Sequence, residues 1–162
     1  MLDRFTERAR QAMVRAIEEA RSRRHAAVTP EHLLLALLVT DVLHPRVMRH
    51  VGVSLDTLLA EADRALRAIP AAATSGDPVF SAELKRVLES AFEGQEAGAS
   101  IGTDHLLLGL HADESTAAAR ILRATGAGLD LVSRMGFLRD PRRRVGLDRM
   151  RFIATSRWRF PF

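Results

Sequence analysis

Two carboxylate–imidazole pairs, Glu31-His32 and Asp104-His105, are the residues best placed by type and spacing to move a proton or hold a metal. Each pair opens a leucine-rich run, residues 33–38 and 106–110. Neighbouring residues on a helix diverge by about 100°, so neither pair converges on one point by itself. A histidine in the first turn of a buried helix is expected to be hydrogen-bonded and structural, and no metal site is expected. His25, His44, His50 and His111 share no i,i+4 partner or motif and receive no role. Nucleophilic catalysis has no support: there is no cysteine and no serine sits in a Gly-x-Ser-x-Gly elbow. A hydrolase would need a nucleophile, a base and an oxyanion site that converge, and none can be assembled. The leucine stripes read as core.

The pairs belong to a larger duplication. Thr29-Pro30-Glu31-His32 returns as Gly102-Thr103-Asp104-His105, Phe5-Thr6-Glu7-Arg8 as Phe80-Ser81-Ala82-Glu83, and Gly52-Val53-Ser54-Leu55 as Gly126-Ala127-Gly128-Leu129. Three matched segments in one order, 73 to 75 residues apart, describe a duplicated unit too long for a solenoid repeat.

The elements that position these residues are helical. Phe5, Ala9, Ala12, Met13, Ala16, Ile17 and Ala20 form one stripe, and Phe80, Leu84, Val87, Leu88, Ala91 and Phe92 form its copy. Thr6 and Ser81 stand at the N-cap position, where a hydroxyl accepts from free first-turn N–H groups. The second helices start at Thr29-Pro30-Glu31 and Thr103-Asp104, with hydroxyl caps, a first-turn proline and first-turn carboxylates. Apolar nearly all round, they should form the buried centre of each half. Short third helices are expected at residues 45–50 and 115–124, ending at Gly52 and Gly126 in left-handed caps. Leu55, Leu58, Leu59, Ala62 and Leu66 mark a fourth helix, and Leu129, Val132 and Met135 its shorter counterpart. No strand-like alternation competes before residue 138. The fold class is therefore all-α: a pseudo-two-fold, duplicated four-helix repeat of about eight helices, with repeat one at 1–69, a Pro-framed linker at 70–79 and repeat two at 80–138.

The chain's net charge of +4 divides unevenly: residues 139–162 carry eight Arg against two Asp, +6, leaving −2 for the rest. The repeat is nearly neutral, and the basic character belongs to a tail without clear period, expected to be flexible. With 47% hydrophobic residues, the chain can bury a core. The apolar run at 33–39 is far too short to span a bilayer. No signal-peptide pattern opens the chain, so a cytoplasmic location without membrane contact is expected.

These motifs resemble a known family. Phe5-Thr6-Glu7-Arg8-Ala9, then residues 30–37, the Gly52 turn and the second copy at 103–110 are similar to the Clp N-terminal repeat domain, which precedes the ATPase rings of the ClpA, ClpB and ClpC unfoldases. The resemblance covers residues 2–138, and Phe80 and Lys85, with Arg10 and Glu89, lean toward the ClpC branch. It implies an eight-helix bundle that receives substrates and adaptor proteins for Clp subunits and has no catalytic activity or cofactor. No Gly-x-x-x-x-Gly-Lys-Ser/Thr phosphate loop occurs, so a free-standing N-domain-like protein without an ATPase is expected.

The resemblance also implies residues. In the ClpC branch a threonine at the start of the first helix and a glutamate at the start of the second form a phosphoarginine pocket in each half. Carried over, these are Thr6 with Glu31, and Ser81 with Asp104, the latter one methylene short. Free N–H groups would favour the phosphate and the carboxylate would pair with the guanidinium. Without the resemblance, all four residues read as helix caps. A partner groove is implied around Leu2, Arg10, Phe80, Lys85 and Glu89; alternatively Phe80 packs the start of its own helix onto the core. The alternative function is a nucleic-acid-binding or regulatory protein acting through the arginine-rich tail.

Overall fold

The computed structural model describes residues 2–40, 52–73, 76–93, 95 and 99–127. After a 3-10 turn at Leu2–Arg4 come α1 (Glu7–Ser22), β1 (Ala27–Val28), α2 (Pro30–Val39), α3 (Leu55–Arg67), β2 (Val79–Phe80), α4 (Ala82–Phe92), α5 (Thr103–Ala112) and α6 (Ala117–Ala124). The expected third helix at 45–50, the fourth helix of the second half, the end of repeat two and the basic tail lie outside the described residues.

Each half is built on a helical hairpin, α1 against α2 and α4 against α5. The expected stripe of α1 is buried at Ala9, Ala12, Met13, Ala16 and Ala20. Its small side chains let α2 approach closely. In α4 the same face buries Leu84, Val87, Leu88 and Ala91. The second helices are central as expected: Leu33, Leu34, Leu37, Leu106, Leu107 and Leu110 are almost wholly buried in one continuous core. Burying a leucine side chain contributes about 1.5–3 kcal/mol, so this paired leucine run is a large share of the apolar stabilisation. Gly109 marks a close approach of helix backbones, because a Cβ there would collide with the Val87 carbonyl oxygen.

Side-chain caps start four helices, at Thr6 and Ser81 as expected and also at Ser54 and Thr116. Thr6 accepts from the Ala9 N–H, Ser81 from Leu84, Ser54 from Thr57 and Thr116 from Ala119. Gly52 and Gly126 have φ of 71° and 77°, the left-handed conformation that ends a helix at least cost. Two starts differ from expectation. Thr29 is the N-cap of α2, but its hydroxyl lies on His32 Nδ1 and not on a first-turn N–H. The N-cap of α5 is Gly102, not Thr103, which is buried as the first helical residue. At Gly102 the Asp104 carboxylate folds back into the space a Cβ would occupy.

The sequence showed no strands, yet two parallel crossings join the halves. β1 pairs with β2, with the Val79 N–H on the Ala26 oxygen at 3.1 Å and the Ser81 N–H on the Val28 oxygen at 3.0 Å. An isolated parallel bridge joins Phe5 to Ile101, with the Thr6 N–H on the Ile101 oxygen at 2.9 Å and the Ile101 N–H on the Arg4 oxygen at 2.7 Å. Pairs this short produce no alternation for a sequence to display. No helix among the described residues is long and apolar enough to cross a membrane.

Candidate functional site at the helix N-termini

The two crossings decide which helix starts meet. Thr6 caps α1 and is tied to Ile101, immediately before the Gly102 cap of α5. Ser81 caps α4 and is tied to Val28, immediately before the Thr29 cap of α2. The N-terminus of each first helix therefore meets the second helix of the opposite half. This corrects the expected pairing within halves. Glu31 follows α1 through a hairpin turn, so it lies at the far end of that helix from Thr6. Sixteen residues separate the two ends of α1, about 24 Å at 1.5 Å per residue. The structure thus associates Thr6 with the Asp104 segment and Ser81 with the Glu31 segment.

The two carboxylates are differently engaged. Glu31 is 8% exposed, and its Oε1 accepts from the Ala118 N–H at 3.2 Å. It satisfies a first-turn donor of α6, 87 residues away, next to the donor that Thr116 satisfies. Its charge sits favourably at the positive end of that helix. Asp104 is half-buried, with Oδ1 3.3 Å from His105 Nδ1. That nitrogen already accepts from the Gly102 N–H at 2.9 Å, so a neutral His105 has no proton there to give Asp104.

The repeated histidines have the structural role expected of them. His32 Nδ1 lies 3.0 Å from the Thr29 N–H and His105 Nδ1 2.9 Å from the Gly102 N–H, each closing back on its helix cap. His25, to which no motif assigned a role, is the residue that sequence reasoning missed. Its Nδ1 lies 2.8 Å from His32 Nε2, and both rings are buried. Because His32 Nδ1 accepts, its proton resides on Nε2 and is donated to His25. His25 then carries its own proton on Nε2, toward the Ile69 backbone. Burial first, then His25 and Arg23, lowers the His32 pKa to about 4; burial chiefly, with Arg23, also lowers that of His25. Among the described residues no group of three or more His, Asp and Glu could hold a metal.

The expected partner groove is only partly assembled. Arg10 is exposed on α1 and paired with Glu7 at 2.7 Å. Lys85 and Glu89 are exposed one turn apart on α4. Phe80 is half-buried against the core, whereas its counterpart Phe5 is fully buried and stacks edge-on with Phe92 at 5.5 Å. The Leu2 side chain lies outside the described residues.

A repeated helical hairpin, crossed between the halves at its helix starts, defines a pseudo-symmetric double-repeat fold. The chain belongs to the Clp repeat (R) N-terminal domain family, whose model matches residues 4–125. It is 37% identical over 123 residues to a probable ATP-dependent Clp protease ATP-binding subunit of Chlamydia pneumoniae, covering 72% of this chain and 14% of that protein. It is 35% identical over 130 residues to the chloroplastic chaperone ClpC1 of Oryza sativa subsp. japonica, covering 78% of this chain and 14% of that one. The chain thus spans about one-seventh of the length of these relatives. The N-terminal domain of ClpD from Arabidopsis thaliana superposes with a TM-score of 0.65 at 29% identity, covering 86% of this chain and 99% of that one. A ClpV N-domain in complex with VipB peptide shares the fold, with a TM-score of 0.56 at 19% identity over 76% of this chain and 80% of that one.

Proposed function

We propose that this chain is a non-catalytic, cytoplasmic protein-binding module of the Clp unfoldase and protease system. It receives substrate or adaptor proteins and recognises phosphoarginine at its helix N-termini. Family membership supports the coarser part, as does the peptide complex of the ClpV N-domain. The observation that carries the finer part is the double crossing, which brings two helix N-termini together in each cleft. Converging first-turn amides and helix dipoles favour a phosphate, and a carboxylate from the opposite half is on hand for the guanidinium. Because Glu31 is already bonded to α6, the Thr6–Asp104 cleft is the stronger site.

Titration calorimetry with phosphoarginine tests this reading. Asp104→Ala should weaken that site by roughly 10- to 150-fold, the equivalent of about 1.5–3 kcal/mol for a hydrogen bond to a charged group. A double-mutant cycle should find Thr6→Ala coupled to Asp104→Ala and additive with Glu31→Ala. Coupling to Glu31 instead would return the sites to single halves. No heat at millimolar phosphoarginine would reduce the four residues to helix caps.

A further inference from the structure

The His25–His32 pair occurs at only one of the two crossings. His105 keeps its cap bond, but the register that aligns His32 with His105 puts Gly98 opposite His25. The pair brackets β1 at both ends. His25 immediately precedes Ala26, whose oxygen accepts from the Val79 N–H, and its own N–H reaches the Ala20 oxygen at 2.9 Å. His32 holds the N–H of Thr29, immediately after Val28, whose oxygen accepts from Ser81. Three of the four ring nitrogens are thus committed to one directional chain, from the Thr29 N–H through the His32 ring to His25 Nδ1.

We infer that the His25–His32 pair is an acid-sensitive latch on the β1–β2 crossing, which proton uptake releases while the Phe5–Ile101 crossing stays shut. A proton added to His32 would have to sit on Nδ1, facing the Thr29 N–H. One added to His25 would sit on Nδ1, facing the His32 N–H. On His25 this sets a donor against a donor; on His32 it breaks the bond from the Thr29 N–H and leaves the Thr29 hydroxyl, 2.9 Å away, as the acceptor. In both cases a charge appears in a buried site where it is not solvated. The charged groups around the pair do not relieve this. On α1, Glu19 is bonded to Arg23 at 2.7 Å and the Arg23 guanidinium repels both rings. On α3, Asp63 is shared between Arg23 and Arg67 at 2.6 and 2.7 Å. On α2, Glu31 is turned to α6. Opening restores an ordinary histidine of pKa 6.5 where the closed state holds His32 at about 4. The sign follows: the open form binds the proton more readily, so closure is complete above pH 6.5 and is lost as pH falls toward 4. At pH 5 these values raise the opening constant about 30-fold over its neutral value.

Amide hydrogen exchange followed by NMR from pH 7.5 to 5 tests the latch with no ligand present. The duplication supplies an internal reference, since the exchange of Val79 and Ser81 can be divided by that of Thr6 and Ile101 in the same sample. This ratio should rise about 30-fold on acidification. It should stay flat in His25→Asn/His32→Gln, in which amide oxygens keep acceptors near both Nδ1 positions and nothing titrates. A flat ratio in the parent would overturn the latch, because the pair would then stabilise the domain as a whole. An undiminished rise in the double variant would overturn it too. If the variant fails to fold, the parent titration decides alone.

Discussion

Removing the Glu31 carboxylate should unfasten a helix in the other half of the molecule. Glu31 is 8% exposed and its bond to the Ala118 N–H is 3.2 Å long, so Glu31→Ala leaves a buried first-turn donor of α6 unpaired. Hydrogen bonds to a charged group are worth about 1.5–3 kcal/mol, and loss of a charge from a helix N-terminus falls within that range. Unfolding entropy is about 2.1 cal/mol/K per residue, near 0.25 kcal/mol/K for a domain of roughly 120 residues. The melting temperature should therefore drop by about 6–12 °C. Glu31→Gln retains the acceptor without the charge and should lose about half as much, since a neutral bond contributes about 0.5–1.5 kcal/mol. Glu7→Ala, which breaks an exposed pair with Arg10, is the control and should change the melting temperature little. Thermal denaturation followed by circular dichroism measures all three, and hydrogen exchange at Ala118 localises the effect. If Glu31→Ala melts with the parent, the bond to α6 contributes nothing and the carboxylate is free to serve a ligand.

Two further substitutions probe the backbone. Gly109→Ala places a Cβ 2.3 Å from the Val87 oxygen and should destabilise by about 1–2 kcal/mol despite alanine's better helix propensity, read as a shifted urea midpoint at unchanged m-value. Arg24 has φ of 58°, a left-handed conformation at the end of α1, and its side chain is exposed. Arg24→Gly should raise stability by about 1 kcal/mol in the same urea titration.

Local features of the fold were legible because they are local in cause. Thr6, Ser81, Ser54 and Thr116 cap helices through bonds three residues long, and Gly52 and Gly126 adopt the conformation that suits a residue without a Cβ. The apolar periods of α1 and α4 identified the buried faces, and the all-round apolar α2 and α5 identified the centre. The pairing of halves was not legible. A duplicated sequence invites the view that each copy assembles its own cleft, and the crossings that refute it are two residues long or shorter. Glu31 looked like an ordinary first-turn carboxylate because its partner lies 87 residues away. His25 carried no motif, since a contact across a helix-to-helix turn has no fixed spacing; only its missing copy at position 98 set it apart.

The crossed arrangement also gives meaning to the differences between the copies. Since each crossing joins the first helix of one half to the second helix of the other, a change in either half touches one crossing through its first helix and the other through its second. Glu31 against Asp104 separates a carboxylate spent on a helix from one left half-exposed. Thr29 against Gly102 separates a cap whose hydroxyl lies 2.9 Å from His32 from one whose missing side chain admits the Asp104 carboxylate. His25 against Gly98 separates a crossing held by two rings from one held by backbone bonds and the Phe5–Phe92 contact. Two of these differences fall at the starts of the second helices and the third just before β1, while the caps of the first helices, Thr6 and Ser81, keep the same chemistry. The duplication thus keeps the same hydroxyl caps on both first helices and diverges in the carboxylates and histidines around the second, so the two phosphoarginine sites proposed above should differ in affinity, and the proposed latch should act at one crossing alone.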